Sequence, residues 1–184
     1  PEVTRFLRAV DVRIDGFRVE KAPEWRGQRV FVRHEVDGKG YELRLSEESA
    51  GTQKLMGLAA YLMTALERGA TVVVDELDAK LHPKLLRYVI LLFKDPEVNK
   101  SGAQLIFSSQ DVSTMRNDVF RRDEIWFAAR GEGEASQLWS LADIHEANGN
   151  LVSKNAAFDK QYLSGRYGAD PYLTRIEELS LIHI

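Results

Sequence analysis

The 184 residues include no cysteine, which excludes disulfides and thiolate-bound metals and fits a reducing cytoplasm. They hold no apolar run long enough to span a bilayer. The longest, Ala59 to Leu66, is interrupted by Thr64 and stopped by Glu67, against the roughly 20 residues a spanning helix needs. No basic-then-apolar leader opens the chain, which starts PEVTRFLRAV. No charge of one sign dominates: 25 Lys and Arg against 28 Asp and Glu leave −3, so there is no global attraction to nucleic acid or an anionic membrane, though a local basic patch stays open. Nor is there a Gly-x-x-x-x-Gly-Lys-Ser/Thr phosphate loop. Asp37-Gly38-Lys39-Gly40 lacks both its spacing and its hydroxyl residue. Repeats and low-complexity linkers are absent too. What remains, 44% hydrophobic and 29% charged, is an ordinary globular composition, enough for one domain or a large part of a bigger one.

Periodicity organises the chain. Val10 to Val19 alternates apolar and polar residues and predicts a half-buried strand. Val30 to Val36 and Tyr41 to Leu45 alternate likewise across Asp37-Gly38-Lys39-Gly40, which predicts a hairpin. From Thr52 to Arg68 the period changes: Leu55, Leu58, Ala59, Leu62 and Leu66 mark one helix face, and Gly69 supplies its stop. The unbroken Val72-Val73-Val74 predicts a strand covered on both faces. A second helix follows from Pro83, carrying Leu85, Leu86, Val89, Ile90 and Phe93, and ends at Asp95-Pro96. Gln104 to Phe107, Glu124 to Ala129 and Gln137 to Ser140 complete the strands. Strands alternating with helices argue for a parallel sheet with right-handed crossovers, and the segment before residue 46 for an antiparallel addition to it.

The chemistry gathers at two turns. In TVVVDELDAKLHP (71–83), Asp75, Glu76 and Asp78 stand at the end of an apolar strand, where open α/β sheets place their ligands. Four apolar residues ending in two acids form the pattern that closes nucleotide sites in phosphate-transfer enzymes: Asp75 would hold Mg²⁺ directly or through water, and Glu76 would polarise the attacking water. The bland alternative is a solvated strand end. Upstream by 26 residues, Ser49-Ala50-Gly51-Thr52 opens the first helix. It offers either an ordinary serine cap or a set of backbone donors and a helix dipole for an anion.

Those stretches carry a resemblance. SAGTQ, residues 49 to 53, resembles the signature loop of ABC-class ATPases, and VVVDELDAKLHP resembles their Walker B strand and D-loop in the wording of the SMC-like and abortive-infection branch. LIFSSQD (105–111) occupies the switch-strand position. RRDEIWFAAR and YLSGRYGADPYL are similar to the C-terminal part of bacterial AAA-labelled ATP-binding proteins linked to phage defence.

The resemblance covers most of residues 1 to 173. It implies an α/β fold: a partial P-loop NTPase of ABC-ATPase type with a parallel sheet, flanking helices and an N-terminal antiparallel β segment. The cofactors it implies are ATP and Mg²⁺. Ser49, Ala50, Gly51, Thr52, Gln53 and Asp78 would face nucleotide, Asp75 the metal, and Glu76 and Gln110 the hydrolytic step. The implied assembly is a homodimer sandwiching ATP in the cytoplasm, with an effector protein or nuclease as a further partner, nucleic acid undecided and no membrane. The signature turn, expected to be exposed, would reach the γ-phosphate held by the partner subunit. Two departures stand out. The phosphate loop is lacking, which fits residues 1–175 being the C-terminal portion of one such domain, with 176–184 a tail whose abrupt SLIHI end reads as a scar. Gln110 stands where the family has a switch histidine, and glutamine donates a hydrogen bond without carrying charge, which implies slow hydrolysis.

Two other readings use the same residues: a metal-dependent nuclease built on Asp75, Glu76 and Asp78, and an ATP-dependent interaction module without turnover. Among the remaining residues, His82 reads as a cap of the second helix, Arg121 and Arg122 as a solvated face, and Trp126 and Phe127 as core.

Overall fold

The computed structural model describes residues 4, 6–8, 14–21, 28–130, 135–146 and 148–169, so Val10, Val12, the Gly131–Gly133 loop and the 176–184 tail lie outside the described residues. The chain divides into two compact units, Pro1–Asp111 and Val112–Ile184.

In the first unit, β1 (Ile14–Lys21), β2 (Gln28–Val36) and β3 (Lys39–Arg44) form an antiparallel sheet in the order β1-β2-β3. Alternation places Phe17, Val32 and Leu43 opposite one another. On the other face Arg18 pairs with Glu42 at 2.8 Å and lies 4.2 Å over the Phe31 ring. The turn is tighter than the sequence predicts: Val36 pairs with Lys39, so only Asp37 (φ 52°) and Gly38 (φ 71°) lie between the strands. Positive φ at both central residues is the geometry that matches strand twist, and Asp-Gly suits it. This sheet is separate from the parallel pair and not an addition to it.

Helix α1 (Ala50–Arg68) starts at Ser49 and buries Leu55, Ala59, Leu62 and Leu66 at three- and four-residue steps. It ends at Gly69 (φ 68°), with the Ala70 N–H donating to the Ala65 carbonyl at 3.0 Å, a left-handed cap of the kind glycine favours. A Cβ on Gly69 would stand 2.2 Å from the Ser101 carbonyl oxygen. Gly69→Ala is therefore expected to destabilise the unit by about 2–4 kcal/mol, combining left-handed strain with a backbone clash. A urea melt checks this, and an unchanged midpoint would contradict it.

Strands β4 (Thr71–Val74) and β5 (Gln104–Phe107) pair in parallel across α2 (Pro83–Lys94). Asn99 joins the end of α2 to the start of β5: its Nδ2 donates to the Phe93 and Ala103 carbonyls at 2.8 Å each, and its Oδ1 accepts from the Ala103 N–H at 2.7 Å. The expectation that β4 is covered on both faces fails. Val74 is buried, but Val73 is 71% exposed beside its partner Ile106 at 56%. Helices cover one face of this two-stranded sheet, and the valine run records a second face with nothing on it among the described residues.

In the second unit, β6 (Trp126–Arg130) and β7 (Ser136–Ser140) are antiparallel, and α3 (Phe158–Leu163) follows. Phe127, Leu141, Val152, Phe158 and Tyr167 form its core, with Phe127 stacked on Tyr162 at 5.8 Å. Burial pushes the Tyr167 hydroxyl up to about 12, and it donates to Gln161 Oε1 at 2.7 Å. Trp126 corrects the core expectation. Adjacent strand residues point to opposite faces, so Phe127 is buried and Trp126 is 57% exposed. Arg121 is exposed and paired with Asp123 and Glu124, but Arg122 is half-buried and donates to the Val152 carbonyl, so the solvated face expected of both is only that of Arg121.

Candidate functional site

The parallel pair brings two sequence-distant turns together. Chain extension beyond β5 continues the ladder: the Ser108 N–H donates to the Val74 carbonyl at 3.1 Å and the Leu77 N–H to the Ser108 carbonyl at 3.0 Å. This sets Ser108 beside the acids. Its hydroxyl donates to Asp75 Oδ1 and accepts from the Glu76 N–H, the latter at 2.7 Å. Leu77 is fully buried and anchors the loop between its acidic neighbours. Asp75 and Glu76 therefore stay exposed, while Asp78 turns inward, where its Oδ2 accepts from the Gln110 N–H at 3.3 Å.

Backbone strain concentrates here. Glu76 (φ 47°) and Lys80 (φ 65°) are both left-handed without being glycine, a conformation that disfavours such residues by roughly 1–2 kcal/mol each and persists where surrounding contacts enforce it. Two hydrogen-bonded turns follow, from the Ala79 N–H to the Glu76 carbonyl at 3.0 Å and from the Leu81 N–H to the Asp78 carbonyl at 2.9 Å. His82 then caps α2, its Nδ1 accepting from the Lys84 N–H at 3.1 Å, as its place between Leu81 and Pro83 predicts.

The signature-like turn is shaped by its own helix. Ser49 Oγ accepts from the Thr52 N–H at 3.1 Å and lies 2.8 Å from Thr52 Oγ1, so the serine is at least a cap. Gln53 Nε2 donates to the Glu48 carbonyl at 2.8 Å. Ser49 and Ala50 are exposed, but Gly51 is half-buried and Thr52 buried. A Cβ on Gly51 would stand 2.9 Å from the Lys80 carbonyl oxygen, so the turn is exposed on one side and packed against the acidic loop on the other. Beside it a cavity of about 510 Å³ is lined by Leu7, Ile14, Leu55, Leu85, Lys80 and the turn itself.

Two contributors escaped the sequence reading. His34 Nε2 lies 2.6 Å from Glu48 Oε1, with side chains only 15% and 8% exposed, so β2 holds the residue preceding Ser49. Lys54, on the first turns of α1, donates from its ammonium to the Glu76 carbonyl. Neither has a local signal, because each pairing depends on a partner 14 or 22 residues away.

The donor set fits part of a magnesium–nucleotide site. Asp75 and Ser108 offer the hard oxygens magnesium prefers, and Asp78 Oδ1 is buried without a hydrogen-bond partner among the described residues, an exception that calls for a further contact. Nothing in the residues present offers the lysine and amide cradle of a phosphate loop. A nuclease centre needs its acids to converge. Here Asp75 turns to Ser108 and Asp78 to Gln110, and no three acidic or histidine side chains among the described residues are grouped to hold a metal. Among the described residues no helix is long and apolar enough to cross a membrane.

The profile of the family described as "AAA domain, putative AbiEii toxin, Type IV TA system" matches residues 4–116. A solved structure from work on the structural biochemistry of ATP-driven dimerization and DNA-stimulated activation of SMC ATPases is similar in fold. Its TM-score is 0.50 at 17% identity, and the match covers 76% of this chain and 83% of that one. No curated protein matches the chain.

Proposed function

Since the chain belongs to that AAA-domain family, we propose that residues 1–175 are the C-terminal portion of one ABC-class ATPase domain. It binds and hydrolyses ATP with magnesium and dimerises around the nucleotide. The observation carrying this reading is the single hydroxyl of Ser108, which accepts from the Glu76 N–H and donates to Asp75, so that one switch-strand residue sets both acids of the pair. Asp75 would hold the metal directly or through water. Glu76, exposed beside it, polarises the attacking water and takes its proton at the carboxylate. Magnesium held at Asp75 would supply charge neutralisation at the phosphates. Asp78 steadies the segment carrying Gln110 through its backbone, and the exposed members of the Ser49–Gln53 turn, Ser49, Ala50 and Gln53, face the nucleotide held by the partner subunit.

The phosphate loop lies on a segment outside these 184 residues, and that segment covers Val73 and Ile106. Their outward apolar face supports this, because parallel sheets are normally covered on both sides. We further propose that the ATPase serves a cytoplasmic bacterial defence system of the abortive-infection kind, with an effector protein or nuclease as its partner; of this, the family description names a "putative AbiEii toxin, Type IV TA system".

The 184 residues alone should then show no magnesium-dependent ATP turnover. Co-expression with the phosphate-loop segment should restore turnover together with ATP-dependent dimers seen by light scattering. Turnover by the 184 residues alone would overturn the division of the site.

A further inference from the structure

We propose that Lys54 is a positioning residue that holds the backbone of Glu76 and ties the signature turn to the hydrolytic end of the same chain, an inference that rests on the role of Glu76 proposed above.

Three groups define the left-handed backbone at Glu76. The Ser108 hydroxyl takes its N–H at 2.7 Å, the Ala79 N–H reaches its carbonyl at 3.0 Å, and the Lys54 ammonium reaches the same carbonyl. The first two come from the residue that follows β5 and from the acidic loop itself. Lys54 comes from α1, the helix the signature turn opens, and its side chain spans to a loop 22 residues further along. One helical turn before Lys54, Gly51 meets the same loop at the Lys80 carbonyl, 2.9 Å from the position of an added Cβ. Helix α1 thus bonds the loop at Glu76 and passes close against it at Lys80, the two places where its backbone is left-handed. A strained backbone stays put only while its surroundings enforce it, and the direction in which the Glu76 side chain leaves the loop follows from its backbone angles.

This grip has a consequence for an ATP sandwich. The signature turn of one chain acts on one nucleotide while Glu76 of that chain acts on the other. A displacement of the turn by its nucleotide is passed through Lys54 to the base at the opposite site, which makes the two sites report on each other. An exposed lysine that merely solvated the helix would pass nothing.

Amide hydrogen exchange on the 184-residue chain tests the positioning without nucleotide. In Lys54→Met, the Leu77 and Ala79 amides, bonded to the Ser108 and Glu76 carbonyls, should exchange about tenfold faster. The amides of β5 should keep the wild-type rate, and Lys54→Arg, which retains a donor, should restore protection. In the ATPase reconstituted with its phosphate loop, Lys54→Met should lower kcat about tenfold and leave KM for ATP unchanged. Wild-type exchange at Leu77 and Ala79 in Lys54→Met would overturn the proposal whatever the turnover, as would equal loss of protection in the Arg variant. Full turnover in Glu76→Gln would instead remove the role of Glu76, and the exchange result would still stand by itself.

Discussion

Glu76→Gln, in the ATPase completed by a phosphate loop, is expected to lose about 10²- to 10⁴-fold in turnover, the usual contribution of a positioned base, while ATP binding survives and ATP-bound dimers accumulate. The amide keeps the shape of the carboxylate and removes its basicity. The structure makes this substitution clean. The Glu76 side chain is exposed, and among the described residues the contacts that fix Glu76 use its backbone: its N–H on Ser108 and its carbonyl on Ala79 and Lys54. Stability should therefore change by no more than about 0.5 kcal/mol. Single-turnover hydrolysis, nucleotide binding and a melt on the same preparation separate the effects. Turnover within a few-fold of wild type would show that another group activates the water.

Ser49→Arg should abolish ATP-dependent dimerisation and reduce hydrolysis by about 10²-fold or more, the scale of losing a preorganised charge-stabilising contact, because a long side chain fills the space meant for the partner's phosphate. Part of any loss is local. Ser49 caps α1 through the Thr52 N–H, and removing such a cap destabilises by about 1 kcal/mol. Ser49→Ala, which removes the cap and adds no bulk, measures that part. Gly51→Asp is a poorer probe than the exposed turn of the sequence reading suggests, since any Cβ there meets the Lys80 carbonyl at 2.9 Å and the acidic loop must shift.

Mixing Ser49→Arg subunits with Glu76→Gln subunits sharpens the test. One composite site then holds both defects and the other none, so partial activity should return, at most about half of wild type per mixed dimer and less where the sites are coupled through Lys54. A metal-dependent nuclease working within one chain predicts no rescue. Full activity of the Ser49→Arg homodimer would remove the signature assignment.

Local rules made much of the fold legible. The step from alternation to three- and four-residue spacing located α1 and α2, Gly69 and Pro83 marked their ends, and Asp-Gly located the hairpin. What lies opposite a residue is not written locally. Three valines in a row said that both faces of β4 suit apolar neighbours but not that Val73 has none here. Trp126 and Phe127 are adjacent aromatic residues with equal propensity, and only the sheet decides which faces inward.

The candidate site divides in the same way. By itself the sequence determined which groups are available and in what order: an acid pair ending an apolar strand, a serine opening a helix 26 residues earlier, and no phosphate loop. These are properties of neighbouring residues, written along the chain because strand, turn and helix are local structures. Tertiary structure alone decided that Ser108 serves both Asp75 and Glu76, that Asp78 holds the Gln110 backbone, that His34 backs Glu48, and that Lys54 and Gly51 grip the acidic loop. Each of those contacts joins residues 14 to 33 positions apart. A hydrogen bond at such separation is set by how helices and strands pack in space, and no spacing rule along the chain encodes it.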